Sequence, residues 1–202
     1  MEKSVAIVTG ASQGIGRSTA IRLARDFSAL VLVARDRANL EGTAEAVKAV
    51  GAKALVIDSD LSQPEAAKSV LDPALAAFDR IDALLNIAGA VSQIDLFEMT
   101  DAQWEAGLAL KLHGARRLTI AAWPALTTAK GAVVLMSGNS ALFPKAPYAA
   151  VGTTAYFPKE AGIARYGEPE EIAELMAFLV SPGARWMTGS TLRMDGGEVK
   201  SI

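Results

Sequence analysis

The stretch that decides the fold reads Val5-Ala6-Ile7-Val8-Thr9-Gly10-Ala11-Ser12-Gln13-Gly14-Ile15-Gly16-Arg17. Val5–Val8 is a short apolar run that predicts a buried strand, and an amphipathic stretch near 15–26 predicts a helix after it. Glycines between a strand and a helix let the backbone approach a pyrophosphate, and the helix N-terminus offers free N–H groups to it. The alternative is a plain glycine turn. The strand before and the helix after favour a dinucleotide site, whose predicted contacts are Gly10, Ser12, Gln13, Gly14, Ile15 and Gly16.

The rest of the chain repeats this alternation of apolar runs and amphipathic stretches. Further strands are predicted at Leu30–Val33, Ala54–Ile57, Ala83–Ile87, Ala132–Met136 and Thr191–Met194. Helices are predicted near 37–50, 64–78 and 101–128, and at Pro169–Val180. Apolar runs without two-residue alternation are typical of parallel strands covered on both faces. The pattern therefore predicts an α/β fold of the Rossmann type: a doubly wound parallel sheet with helices on both faces, in three layers, forming one domain over residues 1–202.

Composition narrows the classes of function. The 202 residues carry a net charge of −2, contain no cysteine and have one histidine, His113, which excludes disulfides and argues against a Cys/His metal site. The near-neutral charge gives no basic surface for nucleic acid. No apolar run reaches the eighteen residues that a membrane span needs. We expect a cytoplasmic protein without a bound metal, a nucleic-acid partner or a membrane contact.

Five motifs in order extend the pattern over nearly the whole chain. They are Thr9–Gly16 with the spacing Thr-Gly-x3-Gly-x-Gly, Asp60-Leu61, Asn86-Ile87-Ala88-Gly89, Arg165–Ile172 and Thr188–Gly197. In this set the chain resembles the short-chain dehydrogenase/reductase family. The resemblance implies an NAD(P)(H)-dependent oxidoreductase that acts on a small carbonyl or alcohol substrate and assembles as a homodimer or homotetramer. It also implies cofactor contacts at Asp60, Leu61, Asn86, Ala88 and Gly89.

The end of the second strand indicates which dinucleotide is bound. An acidic residue there accepts hydrogen bonds from a ribose 2′-OH, whereas an arginine accommodates a 2′-phosphate. Arg35 occupies this place, and its planar guanidinium suits phosphate. Asp36 is adjacent, and Arg35 as a solvated loop residue is the alternative. We predict NADP rather than NAD.

The catalytic group of the family is not reproduced. The family places a tyrosine thirteen residues after a serine and a lysine four residues after the tyrosine. Counting from Ser137 reaches Ala150, and counting from Gly138 reaches Val151 and then Ala155. The family's asparagine position holds Lys111.

The candidates for the altered catalytic site are Ser137, Tyr148 and Lys111. For each a structural role is the alternative: a packing residue for Tyr148, a strand end for Ser137 and a solvated cation for Lys111. Two functions stay open, an oxidoreductase with an altered acid/base group and an NADP(H)-binding sensor or assembly subunit.

A segment of the family is also absent after Tyr148. Gly167 follows Tyr148 by nineteen positions, too few for the crossover helix and sixth strand that a parallel sheet needs there. We place the junction near 152–155. A genuine deletion and residues missing from the sequence as given are the two interpretations, and the intact motifs on both sides favour the second. Without a sixth strand, Thr191–Met194 would have no ladder partner.

Overall fold

A computed structural model describes residues 3–90, 94, 97–138 and 162–196 of the chain. The strands are β1 Val5–Thr9, β2 Ala29–Ala34, β3 Lys53–Asp58, β4 Ala83–Asn86 and β5 Ala132–Leu135. The helices are α1 Gly14–Leu23, α2 Arg37–Val50, α3 Ala66–Phe78, α4 Asp101–Leu108, α5 Ala115–Ala129 and α6 Pro169–Leu179. A π-helical turn, Ala109–Gly114, joins α4 to α5, and a short 3-10 helix lies at Pro182–Ala184.

The five strands form one parallel sheet in the order β3-β2-β1-β4-β5. β1 lies at the centre, in register with β2 from Val5 opposite Ala29 to Thr9 opposite Val33. Every residue of β1 is buried, as expected for a strand covered on both faces. The strand order reverses between β1 and β4, and ligands of such sheets bind beyond the carboxyl ends of the strands at this point. The predicted doubly wound α/β fold is confirmed.

Alternating side chains of the sheet feed two apolar clusters, one on each face. One face packs Ala6, Val8, Leu30 and Leu32 against α1, α2 and α6. The other packs Val5, Ile7, Val31 and Leu84 against α3 and α5. Helix, sheet and helix layers therefore follow one another as the sequence predicts.

One predicted helix begins later than expected. The helix predicted near 64–78 spans Ala66–Phe78 and has no side-chain cap. The Ser62 hydroxyl, a few residues before it, donates to Asp60 Oδ1 at 2.8 Å, a carboxylate two residues back that this short side chain reaches easily.

The predicted strand Thr191–Met194 is not a strand. Its four residues are exposed and form no ladder. Within the described ranges, no strand pairs with the outer edge of β5. A strand needs a neighbour for its N–H and C=O groups, and a local apolar pattern cannot supply one.

The predicted helix 101–128 is present but irregular. Thr100 caps α4 through a capping box with Gln103. The π-helical turn then interrupts the helix, and its last residue, Gly114, is buried. A Cβ on Gly114 would collide with the carbonyl oxygen of Leu61, so this turn packs directly on the segment after β3.

Two predicted features cannot be compared with the structure. Tyr148 and the junction at 152–155 lie outside the described residues. No helix in the described part of the chain is long and apolar enough to cross a membrane.

Candidate functional site

Thr9 joins the carboxyl ends of the two central strands. Its hydroxyl oxygen accepts hydrogen bonds from the N–H groups of Ile87 at 2.9 Å and Ala88 at 3.0 Å, and donates to Leu85 O at 3.3 Å. The side chain is buried, with 1% of its surface exposed. One hydroxyl therefore fixes the turn after β4 to the start of the glycine turn after β1. Thr9 belongs to the Thr-Gly-x3-Gly-x-Gly motif, but its role was not predicted from the sequence. Its position directly before Gly10 was the signal that could have indicated this role.

Gly10 and Gly16 bring three backbone segments together in this turn. Gly10 has a φ of +70°, and a Cβ there would lie 3.0 Å from the Cα of Ala88. A Cβ on Gly16 would collide with the Gly10 carbonyl group. The first turn of α1 thus lies against Gly10, and Gly10 against Ala88, with backbone rather than side chains facing the edge of the sheet. Such a surface fits a pyrophosphate.

The N-terminus of α1 has no side-chain cap. Gln13 makes no capping hydrogen bond, and the first turn contains no acidic residue. In contrast, Asp36 caps α2 and Thr100 caps α4. The first N–H groups of α1 and the positive end of its dipole are therefore not neutralised by the protein, which is the condition that favours a bound anion.

The remaining predicted contacts in the glycine turn differ in exposure. Gln13 is exposed and Ser12 is half-buried, whereas Ile15 is partly buried and packs against the core cluster on the α1 face. Ile15 can therefore offer a ligand little more than its backbone N–H.

The three charged residues after β2 have separate roles. Asp36 accepts hydrogen bonds from the N–H of Asn39 at 3.0 Å and from the Asn39 amide at 2.7 Å, so both of its oxygens serve the cap of α2. Arg37 pairs with Asp58 at 2.8 Å and with Glu41 at 3.3 Å. Arg35 is exposed and forms no ion pair within hydrogen-bonding distance in the described part of the chain. Of the two arginines, Arg35 is therefore the one whose guanidinium is available to a 2′-phosphate.

Asp60 and Leu61, after β3, lie on the same side of the sheet. Hydrogen bonds from Ser62 lower the pKa of Asp60, first through its N–H at 3.1 Å and also through its hydroxyl, and the nearby Arg35 lowers it further. Arg35 and Asp60 follow the carboxyl ends of two neighbouring strands, β2 and β3, whose residues Ala34 and Asp58 are paired. Leu61 is buried, and its carbonyl oxygen packs on Gly114.

Asn86 and the turn that follows it line the centre of the site. The Asn86 side chain is 5% exposed, and its Nδ2 donates to Thr119 Oγ1 at 3.3 Å. Its Oδ1 is buried and has no partner among the described residues. A free buried acceptor beside a glycine-lined turn is consistent with a ligand that brings a donor.

Lys111 lies across Gly89. A Cβ on Gly89 would collide with Lys111 Cε and lie 3.3 Å from its Nζ. The lysine is exposed, and its ammonium lies near Gly89, beyond the carboxyl end of β4.

Ser137 is exposed just after β5, and the preceding Met136 N–H donates to Asn86 O at 3.1 Å, which places Ser137 at the same edge. The structure therefore brings Ser137 and Lys111 to one edge, and Tyr148 falls outside the residues it describes. Over the described ranges, no group of three His, Asp or Glu side chains could hold a metal ion.

Comparisons with known proteins agree with this geometry. The family model for short chain dehydrogenases matches residues 4–154, and a second model, enoyl-(acyl carrier protein) reductase, matches residues 149–198. An uncharacterized oxidoreductase of Methylorubrum extorquens is 31% identical, over 98% of this chain and 98% of that protein. A metagenomic short-chain oxidoreductase solved in complex with NADP is 30% identical, with a TM-score of 0.73 over 87% of this chain and 89% of that one. L-sorbose reductase from Gluconobacter frateurii, complexed with NADPH and L-sorbose, has a TM-score of 0.91 over 100% of this chain and 98% of that one; at 23% identity it shows a common fold.

The same comparisons show a difference in length. The alignment with the Methylorubrum protein runs over 243 positions, and this chain has 202 residues, so at least 41 positions (243 less 202) have no counterpart here. The two family models meet at residues 149–154, where the sequence predicts the junction.

Proposed function

This chain belongs to the short-chain dehydrogenase family of NAD(P)-dependent oxidoreductases, and we propose that it uses NADP(H) to interconvert a carbonyl group and an alcohol. One observation carries the proposal: the backbone surface formed by Gly10, Gly16 and Ala88 at the end of β1 and β4. Arg35 supports the choice of NADP, because Asp36 and Arg37 are already bonded within the protein. The metagenomic relative solved with NADP supports the same choice.

The roles of the residues follow from their places. The glycine turn and the N-terminus of α1 would hold the pyrophosphate, Arg35 the 2′-phosphate, and Asp60 with Asn86–Gly89 the adenosine and central part. When bound, NADPH supplies the hydride that reduces the carbonyl carbon. Ser137 and Lys111 would contact the substrate oxygen from the edge of the sheet, and Tyr148 stays a predicted third contributor.

The test has two steps. NADPH and NADH affinities are measured by fluorescence titration for the wild type, for Arg35→Asp and for Arg25→Asp, an exposed control after α1. We expect the wild type to prefer NADPH, Arg35→Asp to lose this preference and Arg25→Asp to keep it. An unchanged affinity ratio in Arg35→Asp contradicts the NADP assignment.

The second step is a panel of aldehydes and ketones assayed by NADPH oxidation. Turnover of any of them supports the oxidoreductase. The second candidate function, an NADP(H)-binding sensor or assembly subunit, is favoured by Val151, which stands at the family's tyrosine position when the count starts from Gly138 and lies before the predicted junction. Saturable NADPH binding without turnover on the whole panel would select it.

An outward apolar surface supports assembly. Four large side chains on the α4–α5 side are about half or more exposed: Trp104, Leu112, Ile120 and Trp123. We propose a homodimer or homotetramer that buries them. Light scattering of the wild type and of Trp123→Glu tests this, and a monomeric wild type would refute it. A single domain over 1–202 and a cytoplasmic location stay predictions.

A further inference from the structure

The π-helical turn 109–114 is fixed at two points. Gly114 packs on the Leu61 carbonyl after β3, and Lys111 lies across Gly89 after β4. A π-helical turn inside an α-helix frequently marks a functional position, because it displaces one side chain from the regular helical spacing. Here the displaced region presents the ammonium group of Lys111 to the carboxyl edge of the sheet.

Gly89 leaves the space that Lys111 occupies. The three atoms nearest to a Cβ on Gly89 all belong to the Lys111 side chain: Cε, Nζ at 3.3 Å and Cδ at 3.5 Å. Gly89 is absent from the glycines with positive φ, so its backbone conformation does not require glycine. A side chain at position 89 is therefore excluded by the Lys111 side chain, which fills the space that its Cβ would need.

The charge of Lys111 is not neutralised by a neighbour. Its ammonium forms no ion pair with an acidic side chain in the ranges that the structure describes. The nearest positions along its own segment are Leu110, Leu112 and His113, and none of them is acidic. An unpaired ammonium at this edge can interact with an oxygen that becomes negative during a reaction.

We propose that Lys111 is the proton donor of the carbonyl reduction and that Gly89 is the positioning residue that aims it. This inference rests on the proposed function and names which of its candidate residues gives the proton. In the reduction the carbonyl carbon gains a hydride, and the carbonyl oxygen takes one proton from Lys111 Nζ. The N–H bond breaks, the O–H bond of the alcohol forms, and the neutral amine regains its proton from water, to which Lys111 is exposed. In the oxidation the neutral amine accepts the alcohol proton.

Substitutions of Lys111 separate proton donation from charge. Lys111→Met removes both and should lower kcat by about 10²–10⁴-fold, the usual contribution of a general acid. Lys111→Arg keeps the charge, but a guanidinium does not release its proton, so it should be nearly as slow as Lys111→Met. Lys68→Met, at an exposed lysine of α3, is the control. Full activity in Lys111→Arg would overturn the role of proton donor.

Gly89→Ala tests the positioning role. The added methyl group displaces Lys111 and should lower kcat by about 10²-fold, the effect of a misplacement of about 1 Å. In the Lys111→Met variant, the flexible methionine side chain can move away from the added methyl group and has no proton to donate. Gly89→Ala should therefore have little further effect on kcat in this variant. Gly107→Ala, a helical glycine of α4 with no atom within 4 Å of its added Cβ, is the matched control. Additive losses in the double variant would overturn the positioning role.

A further measurement does not depend on turnover. Acetylation of the wild type with acetic anhydride, followed by mass spectrometry, reports the reactivity of each lysine with and without NADPH. We expect NADPH to slow acetylation of Lys111 severalfold and to leave Lys68 unchanged. If Lys111 is not protected while NADPH binds and carbonyls are reduced, the inference fails and the proposed function stands. If Lys111 is protected and no carbonyl is reduced, the oxidoreductase proposal fails, and with it the role of proton donor.

Discussion

Replacing Thr9 with valine removes one hydroxyl from the centre of the site and changes little else. Valine has nearly the same shape as threonine and is equally suited to a strand, so the packing of β1 should be retained. What disappears is the oxygen that accepts from the N–H groups of Ile87 and Ala88 at 2.9 and 3.0 Å. The loss is therefore a loss of hydrogen bonds without a cavity.

The magnitude follows from the partners that remain. Ile87 N–H also contacts Leu85 O at 3.2 Å, so it keeps a partner, whereas Thr9 is the described partner of Ala88 N–H. An unpaired buried N–H costs about 1–3 kcal/mol and each lost hydrogen bond about 1 kcal/mol, so the variant should lose about 2–3 kcal/mol of unfolding free energy. For a chain of this length that corresponds to a fall in Tm of about 4–12 °C.

The assay is urea unfolding followed by circular dichroism, with Tm from calorimetry and NADPH affinity from titration. Thr9→Ser is the matched control, because it keeps the hydroxyl and loses one buried methyl group, at about 1 kcal/mol. NADPH affinity should fall in Thr9→Val and persist in Thr9→Ser. A valine variant as stable as the serine variant would show that the hydroxyl does not hold the turn after β4.

Two further substitutions test separate parts of the structure. Gly16→Ala places a methyl group against the Gly10 carbonyl, so we expect at least about tenfold weaker NADPH binding and a loss of about 1–3 kcal/mol from overpacking, whereas Gly42→Ala, in open space on α2, should keep its affinity. Hydrogen bonds from Arg165 and from the Glu168 N–H lower the pKa of Glu171 to about 2, from an ordinary value of 4.5. Because the pKa of Glu171 is lower in the folded chain than in the unfolded chain, the ionised carboxylate stabilises the folded state at pH values above the ordinary pKa. The Tm advantage of the wild type over Glu171→Gln should therefore be complete above pH 4.5 and vanish towards pH 2. A difference that does not change with pH would show that the Arg165 pair contributes nothing.

The central sheet could be predicted because its signals are local. Each strand from β1 to β5 lies within one or two residues of its predicted range, since a continuous apolar run between polar ends can be buried in few other ways. The segment Thr191–Met194 carries the same local pattern and forms no strand. A ladder depends on a neighbour far away in sequence, and the pattern of one segment contains no information about that neighbour.

The site could be predicted in part for the same reason. The glycine turn and the candidate role of Arg35 follow from spacing, but the reason that Arg35 is available does not. Asp36 and Arg37 are taken up by Asn39 and Asp58, and only three-dimensional distances show this. The path of Lys111 over Gly89 depends on a π-helical turn, for which the sequence gives no signal that we recognise.

The packing of α6 on α1 has a consequence for how the chain is made. Ser18 donates to Glu170 at 2.8 Å, and Arg22 to Glu174 at 2.7 Å, each across 152 positions. At a synthesis rate of about 5–20 residues per second, α1 leaves the ribosome about 8–30 s before its partner helix exists. During that interval the apolar side of α1 that later meets α6 is open to solvent and to chaperones. The helix that follows the glycine turn thus acquires its full packing only after α6, whose partner residues lie 152 positions further along the chain, has been made.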